Sequence, residues 1–163
     1  MIEPLRLVFE VDCDQAHAFS LWTEKSSVWW PASHTTRQEK GTAVVFEPYP
    51  GGRVYELSPS GNEVEWGRVI AWEPPARLVF RWHIFADSND ATEVEIRFQD
   101  NKDGTTTVEL EHRGWDAFED GPHRREQNAL GWRGLIAPYV VACDGRESDP
   151  TGEIANRRWK GQK

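Results

Sequence analysis

The chain has 163 residues, of which 38% are hydrophobic and 28% are charged, and its formal net charge is −8. This length and balance are typical of one globular domain and exclude a disordered chain. The acidic pI, near 5.1, argues against nucleic-acid binding, which needs a basic patch to displace counterions from phosphate. The one basic cluster, RRWK at residues 157–160, lies in a polar tail.

The two cysteines, Cys13 and Cys143, are far apart in the sequence and form no metal-binding or redox motif. We expect both to be small buried hydrophobic residues with reduced thiols. The first residues lack the basic and apolar segments of a signal peptide, and no apolar run is long enough to span a membrane. The sequence therefore predicts a cytoplasmic protein with no metal and no other cofactor.

The N-terminal part reads as one strand followed by two short helices. Residues 5–13 alternate between apolar and polar side chains, which is the two-residue period of a half-buried strand. Asp14 is placed to cap a helix over residues 15–24. A second short helical segment follows at residues 26–31, where Pro31 ends it.

The middle of the chain reads as an antiparallel meander, because short turns rich in Gly, Pro, Asn and Asp separate its strand-like segments. The predicted strands cover residues 42–48, 53–57, 63–72, 77–84, 92–98 and 105–115. Within them, Val94, Ile96 and Phe98 alternate with charged residues, so one face of the sheet is apolar and the other faces water.

A long helix is predicted over residues 122–144 and should cover the apolar face of the sheet. Its apolar residues recur at steps of three and four: Ala129, Trp132, Leu135 or Ile136, Tyr139 and Cys143. Pro138 should kink this helix or break it locally. Residues 1–145 then form the domain, and residues 146–163 form a polar C-terminal tail that Trp159 could anchor.

Several motifs stand in the order seen in one known family: GGRVYE, WGRVIAWEPPARLVFRW, TEVEIRF, VELEHRGW and GWRGLIAPYV. From about Pro4 to Asp144 the chain resembles the activator of heat-shock-protein ATPase homologues (AHSA-type) within the START-like, or SRPBCC, superfamily. The resemblance implies an α+β helix-grip fold, in which a curved antiparallel sheet wraps around the C-terminal helix and leaves a hydrophobic cavity. It implies fold more strongly than function, because members include lipid carriers, cyclases and chaperone regulators.

We expect the cavity to bind a small hydrophobic or aromatic molecule, since the chain holds 9 tryptophans and a sheet that is apolar on one face. The residues that we expect to contact the ligand are Trp29, Trp30, Arg68, Trp82, His112, Trp115, Trp132 and Tyr139. Two alternatives stay open. The same cavity could serve an enzyme of the cyclase, aromatase or hydrolase type, or the domain could be a chaperone-regulatory interaction module with a protein partner or a second copy.

Four polar residues carry alternatives of their own. His112 continues the apolar alternation of its strand, so it is either a buried structural histidine or a tentative acid–base residue. Arg68 either faces the cavity, where it would meet an anionic or aromatic group, or pairs with an acid on the outer face. His34 is placed at the cavity mouth or in an exposed loop. His83 shares a strand face with Arg81, which argues against a place in the site.

Overall fold

The computed structural model describes residues 1–144 and the backbone of residues 159–162. The strands in this part of the chain are β1 (Leu5–Val11), β2 (Ala43–Phe46), β3 (Arg53–Leu57), β4 (Glu63–Glu73), β5 (Arg77–Trp82), β6 (Thr92–Asp100), β7 (Thr106–Arg113) and β8 (Trp159–Gln162). The α-helices are α1 (Gln15–Thr23), α2 (Ser26–Trp29) and α3 (Gly121–Cys143). Short 3₁₀ turns lie at Ala32–His34, Ser88–Asp90 and Trp115–Ala117.

The strands form one sheet in the order β2-β3-β4-β5-β6-β7-β1-β8. Neighbouring strands are antiparallel, and β2 to β7 follow one another as hairpins, as the short turns predict. The first strand returns beside β7, where Phe9 pairs with Val108. The predicted helix-grip fold is confirmed, with α1 and α2 between β1 and β2 and α3 after the last strand of the meander.

The core lies between α3 and the apolar face of the sheet. Leu7, Phe9 and Leu110 on neighbouring strands are fully buried. On α3 the predicted stripe is buried as well, and Tyr139 at its centre has no exposed surface. Burying one large apolar side chain contributes roughly 1.5–3 kcal/mol, so this stripe is the main attachment of α3 to the sheet.

The N-terminus of α1 is capped as predicted, since the Asp14 carboxylate accepts a hydrogen bond of 2.8 Å from the backbone N–H of His17. Pro138 does not break the last helix, because α3 continues through it to Cys143. Residues on both sides of the proline, including Ile136 and Val140, are buried against the core. This packing holds the helix together where one backbone donor is missing.

Strand β4 carries an irregularity that decides which of its side chains reach the core. Val54 of β3 pairs with Gly67, whereas the next residue of β3 pairs with Glu65. Trp66 is therefore an extra residue, which makes a β-bulge. The bulge turns Trp66 into the core, where it is fully buried, while Arg68 lies on the outer face.

The C-terminal end of the chain is described only in part. The backbone of Trp159–Gln162 pairs with β1 on the side away from β7. The predicted domain boundary at residue 145 and the rest of the tail lie outside the described residues, as does the side chain of Trp159. The division into a domain of residues 1–145 and a tail of residues 146–163 stays a prediction.

Candidate functional site

A cavity of about 640 Å³ opens between the N-terminal half of α3 and the segment that joins β5 to β6. Its aromatic lining comes from four separate elements: Trp30 after α2, Trp82 at the end of β5, Trp115 after β7 and Trp132 on α3. The Trp82 and Trp132 rings lie 5.2 Å apart between centroids and are inclined by 31°. Together with Trp30 and Trp115 they form an aromatic wall that is largely buried, since each of the four side chains is only 1–7% exposed.

Ionisable and polar groups are concentrated around the same cavity. The ionisable ones are His34, His83, Asp87, Asp90, Asp120 and Arg124, and the other polar ones are Ser33, Thr92, Gln127 and Asn128. Arg124 of α3 forms an ion pair of 2.8 Å with Asp120, the residue just before the helix, and the guanidinium also lies over the Phe118 ring. About half of the lining residues are polar or ionisable, so the site offers hydrogen-bonding groups beside its tryptophans.

His112 lies behind the aromatic wall and holds it in position. Its side chain is fully buried and does not line the cavity. The Trp132 indole N–H donates to His112 Nδ1 over 3.0 Å, and His112 Nε2 lies 2.6 Å from Thr92 Oγ1. Because an indole N–H can only donate, Nδ1 carries no proton, so Nε2 carries it and donates to Thr92. The Thr92 hydroxyl in turn donates to the Trp82 carbonyl over 3.2 Å.

This bonding leaves His112 neutral. Burial, together with the neighbouring Arg113 charge, lowers the pKa of His112 to about 3. Both ring nitrogens are already bonded to residues of the wall, and the Trp115 indole bonds to the His112 carbonyl over 2.9 Å. The structure thus favours the buried structural histidine over the tentative acid–base role.

Trp29 and Tyr139 lie deeper in the core and do not line the cavity. Their rings are 5.0 Å apart, and both also pack on Trp22. The Tyr139 hydroxyl donates to the Ala18 carbonyl over 2.7 Å, and burial raises the pKa of Tyr139 well above its usual value. The Trp29 indole donates to the Leu21 carbonyl over 2.7 Å. These two residues support the wall rather than face a ligand.

Arg68, which we expected among the ligand contacts, points away from the cavity. It forms an ion pair of 2.7 Å with Glu65 and donates to the Gly51 carbonyl over 3.3 Å. The alternation along β4 would place Arg68 beside Trp66, but the bulge at Trp66 reverses the faces after that residue. We therefore remove Arg68 from the candidate site.

Two histidines that were not among the expected ligand contacts, His34 and His83, belong to the cavity lining. His34 packs directly over α3, where a Cβ added to Gly134 would come within 2.6 Å of His34 Nε2. Burial lowers the pKa of His34.

His83 keeps the alternation of Arg81, as expected: its N–H bonds to the Trp66 carbonyl over 2.7 Å, and Nε2 lies 3.4 Å from Glu65 Oε2. The Glu65 carboxylate also pairs with Arg68 on the outer face, so the His83 ring lies on that side.

Two further classes of site find no support in the described part of the chain. Across residues 1–144 and 159–162, the His, Cys, Asp and Glu side chains form no group of three or more that could hold a metal ion. The helices in these ranges include none that is both long enough and apolar enough to cross a membrane.

Comparison with known proteins agrees with this architecture. The family model for Activator of Hsp90 ATPase homolog 1-like protein matches residues 6–137, which confirms the resemblance inferred from the motifs. No curated protein sequence matches the chain.

Three solved structures illustrate the likeness. An anthrahydroquino-γ-pyrone synthase, Txn09, has 30% identity and a TM-score of 0.58, covering 85% of this chain and 96% of its own. CalC, a self-sacrificing resistance protein from Micromonospora echinospora, has 25% identity and a TM-score of 0.69, covering 87% and 94%. Protein Ms6760 from Mycobacterium smegmatis shares the fold at 14% identity and a TM-score of 0.65, covering 88% and 92%.

Proposed function

Because the chain belongs to the Activator of Hsp90 ATPase homolog 1-like family, we propose that it binds a small hydrophobic or aromatic molecule between α3 and the sheet. The observation that carries this proposal is the cavity itself, with four tryptophans in its lining. Its volume of about 640 Å³ falls within the range of ~300–1,000 Å³ that is common for ligand sites. The parts of the four indole rings that reach the cavity favour an aromatic ligand.

One relative supports a fused-ring ligand in particular. Txn09, at 30% identity over most of both chains, is described as an anthrahydroquino-γ-pyrone synthase. That name describes an anthrahydroquinone fused to a γ-pyrone, a flat polycyclic system, and four tryptophans lie in the lining of the cavity in this chain. The chaperone-regulatory alternative stays a prediction, because none of the contacts described above favours it.

The proposal can be tested with anthraquinone as the probe, by isothermal titration and by quenching of tryptophan fluorescence. We expect saturable binding of one molecule per chain, with a negative heat-capacity change because apolar surface is buried. Linear, non-saturating quenching of the wild-type protein would contradict the proposal.

A substitution that fills the cavity provides a sharper test. Gly131 on α3 lines the cavity, and a Cβ added there meets no atom within 4 Å. We expect Gly131→Leu to weaken anthraquinone binding at least about tenfold, or ~1.4 kcal/mol, because leucine occupies the ligand volume. Helix propensity should keep the melting temperature unchanged or raise it, since leucine exceeds glycine by ~0.8 kcal/mol.

The matched control for this test is Leu130→Gln. Leu130 is the preceding residue on α3 and is 62% exposed outside this cavity. Its replacement should leave binding unchanged. Equal affinity of Gly131→Leu and the wild type would show that anthraquinone binds elsewhere and would remove the cavity as the site.

A further inference from the structure

We infer that Glu56, a buried carboxylate on β3, is a positioning residue of the ligand site: it fixes Trp66 and the segment of residues 30–36, so that one side of the tryptophan wall is preformed. This inference rests on the proposed function and names a residue that acts on the cavity without lining it. The hydrogen bonds of Glu56, its burial and the ring contacts of Trp66 support it.

Glu56 is an unusual group for the interior of this protein. The alternation along β3 puts it on the same face as Val54, and its side chain has no exposed surface. Among the residues that the structure describes, its Oε2 atom has no hydrogen-bond partner. Burying a carboxylate costs free energy, and an apolar residue of similar volume often replaces a buried charged group without loss of stability. Packing alone therefore does not explain a glutamate at this position.

The other oxygen of Glu56, Oε1, joins two separate parts of the chain. The backbone N–H of Thr36 donates to it over 2.6 Å, and the Thr36 hydroxyl donates over 2.7 Å. The Trp66 indole N–H donates to the same atom over 2.9 Å. One carboxylate oxygen thus connects the segment that precedes β2 with the bulge of β4.

Trp66 links this oxygen to the cavity wall. Its ring lies 5.3 Å from the Trp30 ring, inclined by 36°, and 5.6 Å from the Trp82 ring, inclined by 78°. Trp30 and Trp82 line the cavity, whereas Trp66 is fully buried and does not. A shift of the Trp66 ring would therefore remove a contact from both rings that face the ligand.

Thr36 links the same oxygen to the segment of residues 30–36. This segment carries three residues of the cavity lining, Trp30, Ser33 and His34. The Trp30 indole donates to the His34 carbonyl over 3.1 Å, a bond within the segment, whereas the bonds from Thr36 to Glu56 attach the segment to the sheet. Loss of this attachment should release the segment locally while the strands keep their pairing.

A positioning role needs only an acceptor oxygen from the side chain at residue 56. Glutamine provides a carbonyl oxygen, whereas leucine has a similar size and no acceptor. If the segment of residues 30–36 is ordered in only a fraction of the molecules, the apparent dissociation constant rises by the inverse of that fraction. The two substitutions should therefore differ in ligand affinity.

The test compares Glu56→Leu with Glu56→Gln, with anthraquinone as the probe in isothermal titration. We expect Glu56→Leu to weaken binding at least about tenfold and Glu56→Gln to stay within about threefold of the wild type. Amide hydrogen exchange should become faster in residues 30–36 of Glu56→Leu and stay unchanged in β6 and β7. Saturation with anthraquinone should restore the protection of residues 30–36.

Val108→Ala is the matched control for a general loss of stability. Val108 on β7 is fully buried and does not line the cavity, so its truncation should lower the melting temperature and leave the affinity and the exchange of residues 30–36 unchanged. Wild-type affinity in Glu56→Leu, or an equal loss in Val108→Ala, would overturn the inference. An equal loss in Glu56→Leu and Glu56→Gln would overturn it as well, because the charge rather than the acceptor would then be needed.

Thr36→Val covers the case in which Glu56→Leu does not fold. It removes one donor to Glu56 at a half-buried position and should weaken binding about threefold, with faster exchange in residues 30–36. Unchanged affinity and exchange in this variant would overturn the inference and leave the proposed function intact. If the wild type does not bind anthraquinone, the proposed function is contradicted and this inference with it.

Discussion

Two histidines near the cavity, His112 and His83, differ in what their ring nitrogens contact. His112 accepts from Trp132 and donates to Thr92, an arrangement that only the neutral imidazole can satisfy. His83 has a carboxylate oxygen 3.4 Å from Nε2 and no hydrogen bond to the described residues. Protonation of His112 should therefore disrupt the wall.

The state of His112 leads to a prediction about stability and pH. Its pKa is about 3 in the folded chain and near 6.5 when exposed, so the unfolded chain binds more protons between these values. The contribution of His112 should be fully present above pH 6.5 and should be lost as the pH falls below it, by about 1.4 kcal/mol per unit.

The measurement is urea unfolding of the wild type and of His112→Gln from pH 7.5 to pH 4.5. We expect the variant to be about 2–4 kcal/mol less stable at pH 7.5, because the Trp132 and Thr92 groups lose their partner. The difference should shrink as the pH falls, since the variant lacks this titration. A constant difference across the range would show that His112 does not titrate as the structure requires.

At the level of elements, the strands and helices follow from the sequence to within a few residues, whereas the placement of side chains around β4 does not. Two-residue alternation and short turns predict the strands, and apolar residues at steps of three and four predict α3. A bulge is defined by how a strand pairs with its partner, so the sequence around Trp66 does not predict that the two faces of β4 reverse before Arg68.

The close pairing of β4 with β5 gives a second prediction. A Cβ on Gly67 would lie 1.7 Å from the Arg81 carbonyl oxygen, so any larger residue must push the two strands apart. We expect Gly67→Ala to destabilise the protein by about 2 kcal/mol or more, since it strains the backbone beside Trp82. Chemical denaturation measures the change in the free energy of unfolding.

Gly131→Ala is the matched comparison for Gly67→Ala. Nothing lies within 4 Å of a Cβ at that position, and α3 should gain about 1 kcal/mol in helix propensity. If Gly67→Ala proved neutral, the β4–β5 contact would be looser than the structure shows.

At the scale of the whole molecule, the outer face of the sheet is held by a charged network as the inner face is held by apolar packing. Glu95 on β6 bonds to Arg77 over 2.6 Å, to Arg97 over 2.9 Å and to Arg113 over 2.9 Å. These contacts join β5, β6 and β7. Burial would raise the pKa of Glu95, but hydrogen bonds from the three guanidinium groups outweigh it and lower the pKa to about 2.

This network predicts a loss of stability in acid that begins lower than the one at His112. The unfolded chain protonates Glu95 near pH 4.5 and the folded chain near pH 2, so stability should fall as the pH drops through this interval. Glu95→Gln should remove up to about 3 kcal/mol at pH 7 and flatten the profile below pH 4.5. Glu119→Gln, at an exposed position, is the control that should leave the melting temperature unchanged.

The hydrogen-bonded series from Trp132 through His112 and Thr92 to the Trp82 carbonyl has a consequence for how such a protein can diversify. These hydrogen bonds connect α3, β7, β6 and β5. A substitution at any of the four residues should therefore lower the stability of the fold before it alters ligand contacts. The rim between residues 83 and 91 carries no comparable bracing, and Phe85 there is 69% exposed. Substitutions in residues 83–91 should therefore change ligand preference, whereas the hydrogen-bonded residues behind this segment should stay the same when the preference changes.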